Sequence, residues 1–376
     1  MKHLNFKNLQ RATVFLLFAV LLFYILIVGQ SVIVPLVVAF FLAFLLMPLA
    51  EWLERIGFGR SLAAITSLLA AVIVMAGVAT LFGTQVKRFS KDLDEFGKKA
   101  GELIEKLPQG LQDGINSFTN GGGLTFLEDN MAEIFAGLSG FASGFTFAVV
   151  VPIYVALILI YRTLLRNFLL RIFDGTKNRN DGQIEEKDGQ QEEYKEGIRH
   201  LIPRIKTIMK QYVLGMFYVI CILFVLNSIA LFSLGIEHAI LFAAFAAVLN
   251  IIPFVGPLLG SIIPIVYALV TKDSLFYPVA VLAAFLIIQT IESNLLTPNI
   301  VGKNVSLNPL VTLITLFIGA AVWGVVGMVL FIPLAAVVKE IMAHIDGLKS
   351  YAYVMGTGED NDGPSIWKRM YEKVKT

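Results

Sequence analysis

Long stretches without a single charge alternate along this chain with shorter, densely charged ones. No Asp, Glu, Lys or Arg occurs between Arg11 and Glu51, or from Ser61 to Val86, Ile134 to Tyr161, Tyr212 to Ile236, Ala239 to Thr271, Ser274 to Ile291 and Asn304 to Val338. Each run exceeds or approaches the roughly 20 residues that carry a helix across the hydrocarbon core of a bilayer. The pattern predicts an all-α, polytopic transmembrane bundle with spans near 12–29, 32–50, 61–84, 144–161, 212–234, 239–270, 275–296 and 309–338. That is about eight spans. The 239–270 run is too long for one ordinary span and is expected to be broken or re-entrant.

A different period governs the segment after the third span. Apolar residues recur at Phe89, Leu93, Phe96, Ala100, Leu103, Leu107, Leu111, Ile115 and Phe118, in steps of three and four. This spacing predicts an amphipathic helix that bends near Pro108 and ends at Gly121, Gly122 and Gly123. A second amphipathic stretch, Phe126 to Leu138, leads into the fourth span. The stripe could lie in the membrane interface, pack on other spans, or zip against neighbouring subunits. Residues 174–197 are Glu-, Gln-, Lys- and Gly-rich and are expected to form a mobile cytosolic loop. The chain thus divides into a three-span unit (1–84), an amphipathic insert predicted outside (85–143), a fourth span (144–161), a cytosolic charged loop (162–210), a C-terminal signature region (211–340) and a cytosolic tail (341–376).

Composition sharpens the class. Hydrophobic residues make up 57% of the chain and charged residues 15%, against about 25% charged in a soluble domain. A globular cytosolic or secreted protein is excluded. Net charge is +2 and no dense basic block occurs, so no nucleic-acid partner is expected. With the N-terminus inside, the short connections place 12 basic residues on the inner side and 1, Lys303, on the outer. By the positive-inside rule both termini are cytoplasmic. The first apolar run is longer than a signal-peptide core and reads as a retained anchor. Cys221 stands alone, so no intrachain disulfide forms, and it reads as a small apolar residue.

Chemistry is sparse. No His-Glu-x-x-His, Gly-x-Ser-x-Gly or Gly-x-x-x-x-Gly-Lys-[Ser/Thr] pattern occurs. The histidines at 3, 200, 238 and 344 lack ligand spacing. No enzyme activity, cofactor or metal is expected. What stands out is the C-terminal half. Residues 250–264 read Asn-Ile-Ile-Pro-Phe-Val-Gly-Pro-Leu-Leu-Gly-Ser-Ile-Ile-Pro, and Pro253, Gly256 and Pro257 point to a helix break near Asn250. Irregular backbone at membrane depth survives only beside protein or a wet cavity. A proline kink serving packing alone is the other reading. Glu292 is the one carboxylate within a predicted span, with Gln289 on its helix face and Asn294 and Asn299 nearby. A carboxylate there is costly and usually marks a pathway, although near a span end it could instead reach water or pair with Lys303. Pro298, Gly302, Asn308 and Pro309 complete the region. The last span carries Gly319, Ala320, Ala321, Gly324 and Gly327, small residues that suit tight packing or a pore.

Asn-Ile-Ile-Pro-Phe-Val-Gly-Pro, then Glu-Ser-Asn-x-x-x-Pro-x-Ile-x-Gly-Lys, Asn308-Pro309-Leu, and Ile332-Pro333-Leu-Ala-Ala together resemble the autoinducer-2 exporter family of bacterial membrane proteins. The likeness covers nearly the whole chain in span order and is most specific over 250–340. One departure is Asn308, where the family commonly has His before Pro, so a protonatable group is missing. The resemblance implies a multi-pass transporter of the bacterial cell membrane. It further implies a homo-oligomer, in a lipid environment, that exports a small polar solute such as the autoinducer-2 signal. It also allows a sodium/proton antiporter using Glu292, or a non-transporting scaffold. The transport path is expected to pass the Pro253–Pro257 break, Gln289, Glu292 and Asn294.

Overall fold

The computed structural model describes residues 6–105, 109, 146–174, 188–252, 255–302 and 307–356. Every regular element among them is helical. In chain order these are α1 (Phe6–Val28), α2 (Gln30–Arg55), α3 (Arg60–Glu105), α4 (Val151–Asp174, entered through a π turn Thr146–Val150), α5 (Asp188–Ser233), α6 (Ala239–Leu249), α7 (Val255–Thr271), α8 (Phe276–Ile291), α9 (Pro309–Ala343) and α10 (Lys349–Met355). Two π turns, Glu292–Leu296 and Pro298–Gly302, prolong α8. Among the described residues six stretches are long and apolar enough to cross a membrane, and three shorter apolar helices accompany them. The multi-pass helical bundle expected from the charge-free runs is what forms.

Ion pairs mark one end of the bundle. Arg162 on α4 pairs with Glu54 on α2. Lys206 on α5 lies 3.9 Å from Glu51, and Arg204 lies 3.6 Å from Glu340 on α9. The opposite end is marked by His238, whose Nε2 lies 3.0 Å from the Asp92 carboxylate on α3. These are the ion-pair end and the histidine end.

Three corrections to the sequence reading concern helix extent. First, α3 runs unbroken for 46 residues, so the third span and the first part of the 85–143 insert are one helix. No proline interrupts it, and its apolar stripe continues past the membrane. At least its first turns pack on the chain's own helices. The Phe96 ring stacks on Tyr267 of α7 at 5.9 Å, and Phe89 meets Phe242 of α6 edge-on at 5.6 Å. The rest of the insert, with Pro108 and the Gly121–Gly123 end, lies outside the described residues. Second, α4 reaches Asp174 and α5 starts at Asp188. Much of the expected 174–197 loop is therefore helical, and residues 175–187 lie outside the described residues. Leu201, Ile208, Met209 and Tyr212 are buried at helical spacing, which extends α5 well ahead of its charge-free run.

The third correction concerns the last span. Residues 309–338 do not cross as one rod, because α9 folds back on itself at Trp323 and Gly324 (φ 60°, ψ −140°). A Cβ on Gly327 would sit 1.9 Å from the Gly319 carbonyl oxygen. Eight residues along a straight helix would hold these positions about 12 Å apart. The positive φ at 324 is a glycine conformation, and the paired glycines let two backbones touch. The broken or re-entrant element expected over 239–270 is present as a second hairpin. Lys272 Nζ donates to the Gly235 carbonyl (2.7 Å), and a Cβ on Gly256 would lie 1.8 Å from the Leu249 carbonyl oxygen. The two hairpins enter from opposite ends. The α6–α7 hairpin has both roots at the histidine end. The α9 hairpin is rooted at the ion-pair end, where the Asn308 amide donates to the Met355 carbonyl at 3.0 Å.

The α6–α7 hairpin returns to its own end, so Lys272 lies at the end opposite to the one that eight simple crossings would give it. Among the described residues the buried core falls into three clusters. One joins α2, α3 and α4 through Ala39, Ala43, Ala64 and Leu159; one sits at the histidine end around Phe242 and Tyr267; the largest surrounds α5. Outward faces such as Phe18, Ile73, Met75 and Ile287 are exposed, as expected where lipid is the solvent.

Candidate functional site

The two hairpin turns and the irregular end of α8 converge on α5. Ala247, one turn before Asn250, Trp323 at the α9 fold, Ile288, one turn before Glu292, and Val219 and Leu223 of α5 belong to a single contiguous buried cluster. Backbone irregularity concentrates there because each element is interrupted for its own reason. The α6–α7 turn follows from Gly256 pressed on Leu249, and the α9 turn from Gly324. The π turns of α8 follow from Pro298, which has no N–H to donate and would crowd the Asn294 carbonyl in a regular helix. Widened turns of this kind are frequent at functional sites.

Glu292 is the centre of the polar chemistry. It is only 9% exposed. Gln289 Nε2 donates to one carboxylate oxygen at 2.8 Å, and Thr297 Oγ1 donates to the other at 2.5 Å. Both oxygens thus hold donors within a largely apolar wall, which is how a buried carboxylate is tolerated. The pairing with Lys303 lies outside the described residues. The cluster is a hydrogen-bonding platform able to receive a hydroxyl or a cation after modest rearrangement of Gln289 or Thr297.

Other expected path residues separate into groups. Asn250 caps the C-terminus of α6 at the hairpin turn, half-buried, its amide donating to the Ala246 carbonyl at 3.1 Å. Gly256 is buried against Leu249. Pro257 is the third residue of α7, where the missing N–H would have had no partner within the helix. It helps start α7 rather than break it. Pro253 lies outside the described residues. Asn294 is not brought to Glu292, because two residues further on it faces away. It is exposed, and its Nδ2 donates to the Thr290 carbonyl (2.9 Å) and to Ser293 Oγ (3.3 Å). Pro298 and Gly302 begin and end the second π turn.

Asn308 and Pro309 form the root of the α9 hairpin. Asn308 Oδ1 accepts from the Val311 amide (2.8 Å), Pro309 occupies the first helical position, and Asn308 Nδ2 donates to the Val354 carbonyl (2.6 Å). This is a cap and a clasp to α10. Asn308→Ala is expected to lose about 1 kcal/mol of cap energy and to loosen α10. Limited proteolysis should then cut near Met355 faster than in the wild type, with the rest of the bundle protected.

Sequence reasoning missed Thr297, which is five residues from Glu292 and reaches it only because the intervening turn is π-helical. It also missed Asn227 on α5, 4% exposed, with Oδ1 unpartnered among the described residues. Its signal was present as a lone amide within a charge-free run. Trp323, whose Nε1 donates to the Leu26 carbonyl of α1 at 2.9 Å, pins the α9 fold and gave no sign in the sequence.

Comparison with known proteins gives a family and several relatives. The family described as AI-2E family transporter matches residues 14–347. The candidate transport protein YrrI of Bacillus subtilis is 23% identical over 84% of this chain and 87% of its own length. A sodium-lithium/proton antiporter of Halobacillus andaensis is 25% identical over 79% of this chain and 85% of its own. The AI-2 transport protein TqsA of Escherichia coli is 32% identical over 33% of this chain and 36% of its own.

Proposed function

The chain belongs to the AI-2E transporter family, and on that premise we propose that it is a permease releasing a small, neutral, hydroxyl-bearing metabolite from the bacterial cytoplasm. The observation that carries this reading is the Gln289–Glu292–Thr297 cluster, whose carboxylate is buried beside α5, the helix on which both opposed hairpins pack. A hydroxyl-rich solute needs both donors and acceptors within an apolar wall. The carboxylate of Glu292, the amide of Gln289 and the hydroxyl of Thr297 supply them. The autoinducer-2 signal is a solute of that chemistry, and TqsA is named for its transport. The proposal places both termini in the cytoplasm, on the basic side of the bundle, and has the chain work as a homo-oligomer.

A second reading, sodium/proton exchange, is favoured by one observation. Glu292 is a buried carboxylate beside the Thr297 hydroxyl, oxygen groups of the donor type that a hard cation takes, and one relative bears the name of such an antiporter. Purified protein in sealed vesicles separates the two. The expected result is protein-dependent efflux of a loaded hydroxylated solute with no change in internal pH. Sodium-driven alkalinisation or acidification without solute flux would replace export by exchange. Absence of both fluxes would overturn transport at this cluster.

A further inference from the structure

A groove of about 330 Å³ opens at the ion-pair end between α5 and the second π turn of α8, away from the Glu292 cluster. It exists because Gly215 lets the two elements touch. A Cβ there would lie 2.9 Å from the Ile300 carbonyl oxygen. Thr207, Lys210 and Gln211 line one part, and Leu214, Tyr218 and Ile300 line the rest. From Thr207 to Tyr218 the wall therefore changes from polar to apolar over about 16 Å of helix.

The charge at this end is uneven. Arg162, Arg204 and Lys206 each face a carboxylate. Lys210, half-buried in the groove, has no carboxylate within 4.0 Å among the described residues. Thr207 Oγ1 already donates to the Pro203 carbonyl at 2.9 Å, so the ammonium of Lys210 and the amide of Gln211 are the donors left for a ligand. A soluble anion would satisfy Lys210 but gain nothing from Leu214, Tyr218 and Ile300. An amphiphile with an anionic head satisfies both halves. The partly exposed phenol of Tyr218, on a wall that turns from polar to apolar, suits the boundary of a bilayer.

We propose that this groove binds one anionic phospholipid, its phosphate held by Lys210 and Gln211 and an acyl chain laid along Leu214, Tyr218 and Ile300. The lipid bridges α5 and the π turns that carry Thr297. Its occupancy therefore braces the helix segment on which Glu292 is held, and transport rises with the anionic lipid content of the membrane.

The test uses the full chain in phosphatidylcholine nanodiscs with graded phosphatidylglycerol, retained lipid being counted by native mass spectrometry. Wild type should keep one phosphatidylglycerol per chain in preference to phosphatidylcholine. Lys210→Gln should weaken that retention about fivefold, and Lys210→Arg should preserve it. Leu214→Trp should displace the acyl chain and lower retention with the cation intact. Lys87→Gln, a charge lost elsewhere, should change nothing. Equal retention by wild type and Lys210→Gln overturns the proposal. Should a variant fail to fold, labelling of wild-type Lys210 with an amine-reactive probe decides. Phosphatidylglycerol must protect it, and inorganic phosphate at equal concentration must not; equal protection by both makes this a site for soluble anions and overturns the lipid assignment.

Discussion

Gly327→Leu should melt several degrees below the wild type and lose its monodisperse profile, whereas Gly77→Leu should behave as wild type. At position 327 the first added carbon would meet the Gly319 carbonyl oxygen at 1.9 Å, and the reverse contact, from 319 to the Gly327 carbonyl, is 2.4 Å. Both obstacles are backbone, so no rotamer change relieves them, and the hairpin must separate along its length. Overpacking in a core costs about 1–3 kcal/mol and occasionally more. Here the strain also removes the fold that carries Trp323 to Leu26, so the upper end or beyond is expected. For a chain of this size that shifts the melting temperature by several degrees, roughly 2–4 °C per kcal/mol or less. Gly77 lies on α3 with nothing within 4 Å of its added carbon, and leucine is the better helix former. Thermal unfolding in detergent, read beside gel-filtration profiles, checks the pair. A Gly327→Leu protein that stays monodisperse and melts with the wild type would show that α9 does not fold back in solution.

Glu292→Ala should cut solute flux about 10- to 100-fold, the factor that follows from losing a hydrogen bond to a charged group worth about 1.5–3 kcal/mol. The loss has two parts. Gln289 and Thr297 forfeit their shared acceptor, and the path loses its acidic oxygens. Glu292→Gln is the informative companion. It keeps the volume, and rotation of the Thr297 hydroxyl with a flip of the Gln289 amide can restore both hydrogen bonds. Export of a neutral solute down its gradient should therefore survive within a few-fold. Proton-coupled exchange should be lost in both variants, because an amide cannot carry the proton. Initial rates in vesicles, normalised to reconstituted protein, distinguish these outcomes. Wild-type flux in both variants would move the site away from Glu292.

Much of this protein was legible in the order of its residues. Charge-free runs longer than a bilayer is thick dictated a multi-pass helical bundle, since backbone polar groups in hydrocarbon must be paired within the segment. The three-and-four spacing from Phe89 dictated a helix, and Asn250 to Pro257 together with the lone carboxylate at 292 marked where helices give way. Tertiary structure decided the rest. An apolar run states that a segment is buried, not whether it crosses or turns back. That choice fell at Gly319–Gly327 and Gly256–Leu249, where two backbones approach too closely for any side chain. Asn294 looked like a partner of Glu292 by proximity in sequence, and Thr297 did not. The π turn after Ile291 reversed their roles, because adding a residue to a helical turn changes which side chains share a face. The clasp that Asn308 makes lies 46 residues downstream, at the Val354 carbonyl, a contact between distant segments that no local pattern encodes.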